Sequence, residues 1–168
     1  QVIAQARASG IGTVEFEADN EMPPEFLNGE AILVTTFKKL FNGRSVFGIP
    51  GGVRPIVQLG CVLVDDAHSC LSIARETVSV TLNAGTPPYE QLKSLFRPAL
   101  EAQSMGTAAT IFANDPRSYL AVPYWAWINA HASVAKILSE HRETEPLLFS
   151  WDLLRDHLEL CHCVIAGH

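Results

Sequence analysis

Gly60-Cys61-Val62-Leu63-Val64-Asp65-Asp66-Ala67-His68 decides how the rest of the chain is read. A short apolar run bounded by glycine and by charge has the pattern of a strand buried on both faces, as in a parallel sheet. Asp65 and Asp66 end it abruptly, and Ala67 to about Arg75 reads as a helix. Carboxylates at the C-terminal end of such a strand lie at the sheet edge where open α/β proteins bind ligands. Two adjacent aspartates repel each other, so the pair needs a cation or solvent around it. Magnesium suits that place, because it takes few protein ligands and fills its shell with waters or phosphate oxygens.

Upstream, Ala31-Ile32-Leu33-Val34-Thr35 is a second run of the same kind. Thr36 is placed to cap a helix from Phe37 to about Asn42, which Gly43 would end. Thr13 to Glu17 alternates like a short strand, and the polar stretch from Asp19 to Gly29 holds one helical turn at Pro24–Leu27. Gln1 to Ser9 reads as a helix stopped by Gly10, and residues 47–55, with Gly48, Pro50, Gly51, Gly52 and Pro55, as a loop. Strand, helix and strand in this order predict a parallel sheet with right-handed crossovers. Ala31–Thr35 and Gly60–Val64 are expected as its central strands, with Asp65 and Asp66 at the same edge as Thr35 and Thr36.

From Pro87 the pattern changes to helix, over residues 89–103, 116–140 and 147–160. Leu92, Leu95, Phe96 and Leu100 form one amphipathic stripe. Cys163 to His168 reads as a strand just begun. With 168 residues and 48% hydrophobic content, the chain is long and apolar enough for a cored domain rather than a disordered tail. The net charge of −6 argues mildly against strong affinity for a polyanion. No apolar run approaches a membrane span, and no signal peptide is visible, so a cytoplasmic protein with reduced thiols is expected. The two ends read as the middle of a helix and the start of a strand, so the chain is expected to be an internal piece of something longer.

Asp65-Asp66-Ala67-His68 resembles motif II of the DEAD/DEAH-box helicases of superfamily 2, in an Asp-Asp-Ala-His variant. The stretch from Glu30 to Leu40, with its strand and Thr-Thr turn, is similar to the element that touches the nucleic-acid backbone in those motors. Asn42-Gly43-Arg44-Ser45-Val46-Phe47-Gly48 adds to the likeness. The resemblance covers residues 1 to about 76. It implies an α/β fold: a partial RecA-like parallel sheet with flanking helices at 1–80, a largely helical insertion at 81–160, and the start of the next core strand at 161–168.

The same resemblance implies roles. Asp65 would hold the Mg²⁺ of ATP, and Asp66 would orient or deprotonate the attacking water, one methylene shorter than the glutamate usual there. His68 would link the nucleotide site to neighbouring motifs by hydrogen bonds. Thr35, Thr36 and Lys38 would contact the backbone of DNA or RNA, with Lys39 and Arg44 adding positive charge nearby. The chain has no Gly-x-x-x-x-Gly-Lys-[Ser/Thr] loop, so the phosphate cradle is expected upstream and the second motor domain downstream. On its own this piece is expected to be inactive as an ATP hydrolase.

Plainer readings stand beside these. Asp is a good helix N-cap, so the pair also reads as a structural strand end in a non-catalytic α/β interaction module. Lys38 and Lys39 also fit a solvated helix face, and Thr35 and Thr36 a β-branched strand end with a cap. Tyr124, Trp125, Trp127 and Trp151 fit helical packing better than base stacking. His131, His141 and His157 read as surface or capping residues. Cys70 reads as a small buried thiol rather than a nucleophile. Cys161-His162-Cys163 lacks the partner pair that a zinc site needs.

Overall fold

The fold is described here from a computed structural model, over residues 2–16, 21–49 and 56–168. It is a mixed α/β arrangement with two small sheets. Glu17 of the expected first strand, Asp19 and Asn20 of the polar stretch, and residues 50–55 of the expected loop lie outside the described residues.

Helix α1 (Val2–Ala8) buries none of its residues and leads through Gly10, at a φ of 74°, into β1 (Thr13–Glu15). α2 (Pro24–Leu27) forms as the single turn expected, with Pro24 in the first turn, where its missing N–H leaves nothing unsatisfied. β2 (Ile32–Val34) pairs parallel with β1, Thr13 opposite Ile32 and Glu15 opposite Val34. Bonds from Ile32 N–H to Gly12 and from Phe16 N–H to Val34 extend the ladder at both ends. α3 (Phe37–Leu40) follows, shorter than predicted, and α4 (Ala67–Thr77) packs against it.

Two expectations fail in this region. β2 is one of two strands rather than a central one, and Ile32 is exposed. Gly60–Val64 forms neither strand nor helix, and Val62, Leu63 and Val64 are all exposed. A continuous apolar run becomes a buried strand only where a neighbour offers its backbone a ladder and both faces find a layer to pack on. Among the described residues nothing pairs with 60–64, so the run stays outside any sheet.

The second half builds the core. α5 (Pro87–Gln103) starts on two prolines and turns Leu92, Phe96 and Leu100 of the expected stripe inward, with Ala99 beside them and Leu95 only partly buried. α6 (Met105–Phe112) begins at Ser104, whose hydroxyl accepts from Thr107 N–H. The long helix predicted over 116–140 is instead β3 (Tyr119–Ala121), α7 (Tyr124–Asn129) and α8 (His131–Glu140). Pro123 supplies the reason, since it disfavours helix in the residue before it and cannot donate a helical bond.

The stretch 147–160 likewise divides into a 3₁₀ turn at Leu147–Phe149, α9 (Trp151–Leu154) and a 3₁₀ turn at Leu158–Leu160. The Leu158 carbonyl accepts from the Trp127 indole at 2.7 Å. β4 (Val164–Ala166) forms where the terminal strand was expected, and pairs antiparallel with β3 rather than beside β2. Phe96 stacks on Trp127, and Ile111, Val134, Leu138, Leu147, Leu158 and Ile165 close the core around them.

Among the described residues, two polar contacts join the halves. Gly43 N–H donates to the Phe149 carbonyl at 2.7 Å, and Arg44 pairs with Glu143. A Cβ at Gly43 would stand 2.8 Å from that carbonyl oxygen, so only glycine allows the approach.

Candidate functional site

Asp65, Asp66 and His68 sit at the start of α4, all exposed. Asp66 is the N-cap: its carboxylate accepts from Ser69 N–H at 3.3 Å and from the Ser69 hydroxyl at 2.6 Å. The hydroxyl bond first, then the backbone bond, hold its carboxyl below the usual range. Its backbone is left-handed, φ 51° and ψ 68°, a region that Asp tolerates better than most residues. The sequence offers the Asp pair as a cap; the structure makes Asp66 the capping residue and Ser69, three positions on, its partner.

Asp65 has its carboxylate in solvent, and among the described residues no hydrogen bond or ion pair engages that side chain. Its backbone carbonyl accepts from the half-buried Cys70 thiol at 3.7 Å, which suits a packed thiol better than a nucleophile. No three His, Cys, Asp or Glu side chains among the described residues form a group fit to hold a metal ion. An open aspartate still fits the one-carboxylate attachment that Mg²⁺ makes when phosphates and waters supply its other ligands.

Thr35 and Thr36 leave the C-terminal end of β2. The Thr35 hydroxyl is buried without a partner. Thr36 occupies the N-cap position of α3 with an exposed side chain that makes no capping bond, so its hydroxyl is uncommitted. Lys38 projects into solvent, its ammonium 3.7 Å from Glu76 of α4 in an ion pair exposed on both sides. Lys39 is otherwise employed: it donates to the Phe16 carbonyl and lies over the Phe16 ring, tying α3 to the end of β1. Arg44 is held by Glu143. Of the three cations expected near the threonines, Lys38 alone presents a loosely held charge.

α3 packs against α4, but Lys38 meets Glu76 at the C-terminal end of α4, so the expected common edge for Thr35, Thr36, Asp65 and Asp66 does not form within the described residues. Among the described residues, no hydrogen bond or ion pair joins Asp65 or Asp66 directly to Thr35 or Thr36. Trp127 and Trp151 are buried as expected for packing residues, whereas Tyr124 and Trp125 are exposed. A cavity of about 230 Å³ at the junction of the halves is lined by Arg44, Arg142 and Arg155. Glu143 pairs with the first two, and Asp152 and Asp156 with the third, so its charges are largely matched.

No protein-family model matches the chain, and neither the curated proteins nor the solved structures contain a match to it. Among the described residues no helix is long and apolar enough to cross a membrane.

Proposed function

We propose that the chain is an internal part of the first motor domain of a superfamily 2 helicase or translocase, a cytoplasmic ATP hydrolase acting on DNA or RNA. The observation that carries this reading is the arrangement around α3 and α4. A parallel strand delivers Thr35 and an uncommitted Thr36 hydroxyl at its C-terminal end. The helix that follows packs on α4, the helix that Asp66 caps, through Lys38 and Glu76 near the far end of α4. In this reading Asp65 binds Mg²⁺ of ATP, Asp66 positions the attacking water and His68 relays the state of the site. Thr35, Thr36 and Lys38 hold the nucleic-acid backbone. The bound metal would supply charge neutralisation at the phosphates.

The exposed run Val62–Val64 weighs against the reading within these 168 residues, since a motif II strand must be central. The proposal therefore requires that the strand's neighbours, together with the phosphate-binding loop, come from elsewhere in the intact protein.

The test is made on that intact protein. Asp65→Asn should abolish ATP turnover and weaken the metal-dependent part of ATP binding. Asp66→Asn should leave MgATP binding nearly intact and slow hydrolysis by about 10²–10⁴-fold. Asp66→Glu, with the longer reach, should retain turnover. Full activity in Asp66→Asn removes the water-positioning role, and an intact protein without nucleotide-dependent activity removes the motor reading.

The second reading is a non-catalytic α/β interaction module with a structural Asp pair. One observation favours it: Asp66 already has a structural task as the cap of α4. Replacing a capping Asp by Ala destabilises the helix start, whereas Asn caps about as well. If loss of stability in Asp66→Ala is the whole effect of changing this residue, and Asp66→Asn has none, this second reading is the correct one.

A further inference from the structure

A groove of about 370 Å³ opens between α3, the C-terminal end of α4 and the 3₁₀ turn Leu147–Phe149. Lys38, Asn42, Glu76, Thr77 and Phe149 line it, so it draws on both halves of the molecule and begins two residues after Thr36. Phe149 is partly open to solvent, at 45% exposure for the residue. Its own carbonyl is pinned by Gly43 N–H, which fixes the ring's base against the end of α3.

The polar groups of the groove are mostly engaged within the protein. The Asn42 amide donates to the Lys38 and Lys39 carbonyls, and the Thr77 hydroxyl donates to the Ile73 carbonyl. Lys39 is held by the Phe16 carbonyl. What remains for a ligand is the exposed Phe149 side chain, the Lys38 ammonium and the Ser150 hydroxyl. The exposed pairing of Lys38 with Glu76 is a weak restraint that a phosphate can displace. An exposed aromatic side chain beside a loosely held cation matches sequence-tolerant binding of a single strand, by stacking and a phosphate contact.

We propose that this groove binds single-stranded nucleic acid, with one base stacked on Phe149 and a flanking phosphate on Lys38. The inference rests on the nucleic-acid part of the reading above. It adds that the helical half contributes to the binding surface, through a residue outside the motif-like stretches. Glu76 limits affinity by repelling the phosphates, and it sets Lys38 as the side on which the backbone must pass.

The test uses the 168-residue protein and a fluorescein-labelled oligothymidylate, with anisotropy read across a salt series. The wild type should bind, with affinity falling as salt rises. Phe149→Leu, which keeps apolar bulk but removes the π face, should weaken binding by roughly 5- to 100-fold, the scale of one lost base stack. Phe149→Tyr should restore it. Lys38→Gln should reduce the salt slope by about one ion. Wild-type binding unchanged in Phe149→Leu overturns the groove while leaving nucleic-acid binding at the threonines intact. A wild-type protein that does not bind the oligonucleotide overturns the proposal outright, and ATP turnover by the intact protein then decides the motor reading separately.

Discussion

Leu100 of α5 has no exposed surface, whereas Leu63, ahead of α4, is 88% exposed. The contrast extends to the halves that contain them. Every buried hydrophobic residue among those described lies between Tyr89 and Ile165, and packing against that core begins at Val80 and Leu82. Among the described residues of 2–77 the buried positions are Thr13, Gly43 and Ser45, none with a large apolar side chain. The half with motif-like sequence thus has strand-type apolar runs without a core, and the half without motifs has the core. Apolar patterning states what a segment must bury, and leaves open which chain supplies the partner.

The largest effect expected from this contrast is at Leu100. Leu100→Ala should lower the unfolding free energy by about 2–5 kcal/mol, through lost transfer energy and the cavity left behind. Urea denaturation followed by tryptophan fluorescence reads this directly, because Trp127 and Trp151 both sit in that core. A loss under about 1 kcal/mol would mean that the second half is not close-packed around α5.

Next in size is a pH effect at Cys163, beside β4. Burial pushes its thiol from an ordinary value of 9.0 up to about 11. The folded protein favours the neutral thiol, so the unfolded chain loses that proton first as pH rises. The stabilisation is complete below pH 9 and is lost as pH climbs to about 11. Its size is on the order of 2 kcal/mol, from the value of one pKa unit. Cys163→Ala should flatten the difference in urea midpoint across that window. An unchanged slope would place the thiol in water rather than in the core.

How much was readable beforehand follows the same division. α2 was legible because Pro24 fixes a helix start, and α5 because its stripe has a single buried face. β2 was legible as a strand, though not its edge position, because a run of three β-formers does not say how many neighbours it has. β3 was hidden inside a predicted helix: Leu120 and Val122 are as apolar as the helices around them, and only Pro123 marked the break. Asp66 was legible as either a catalytic group or a cap. The structure shows the cap and leaves Asp65 open to solvent. Phe149 carried no signal at all, since its place beside Lys38 depends on how the two halves meet.

A smaller effect is expected where the halves touch. Gly43→Ala brings a methyl group to 2.8 Å from the Phe149 carbonyl oxygen and strains the bond from Gly43 N–H. Both groups are main chain, so neither can swing aside. The cost should be about 1 kcal/mol, the net worth of one such hydrogen bond. Amide exchange should report it at Gly43 and along α3, while α5 stays protected. Protection lost in α5 as well would mean that the two halves unfold as one unit.

The smallest effect is the most informative for the motor reading. In the 168-residue chain Leu63→Asn removes an apolar side chain that is already in water, so stability should change by less than about 0.5 kcal/mol. In the intact protein the proposal makes Leu63 part of a central strand with layers on both faces. There the same change puts an amide into an apolar core and should cost several kcal/mol, because a buried polar group without a partner is heavily penalised. Thermal unfolding of the pair in both contexts separates three cases. Neutral in the short chain and costly in the intact protein is the expected result. Costly in both would show that Gly60–Val64 packs within these residues. Neutral in both would leave Asp65 and Asp66 on an exposed segment in the whole protein, where no rigid sheet edge could hold a metal and a water in register.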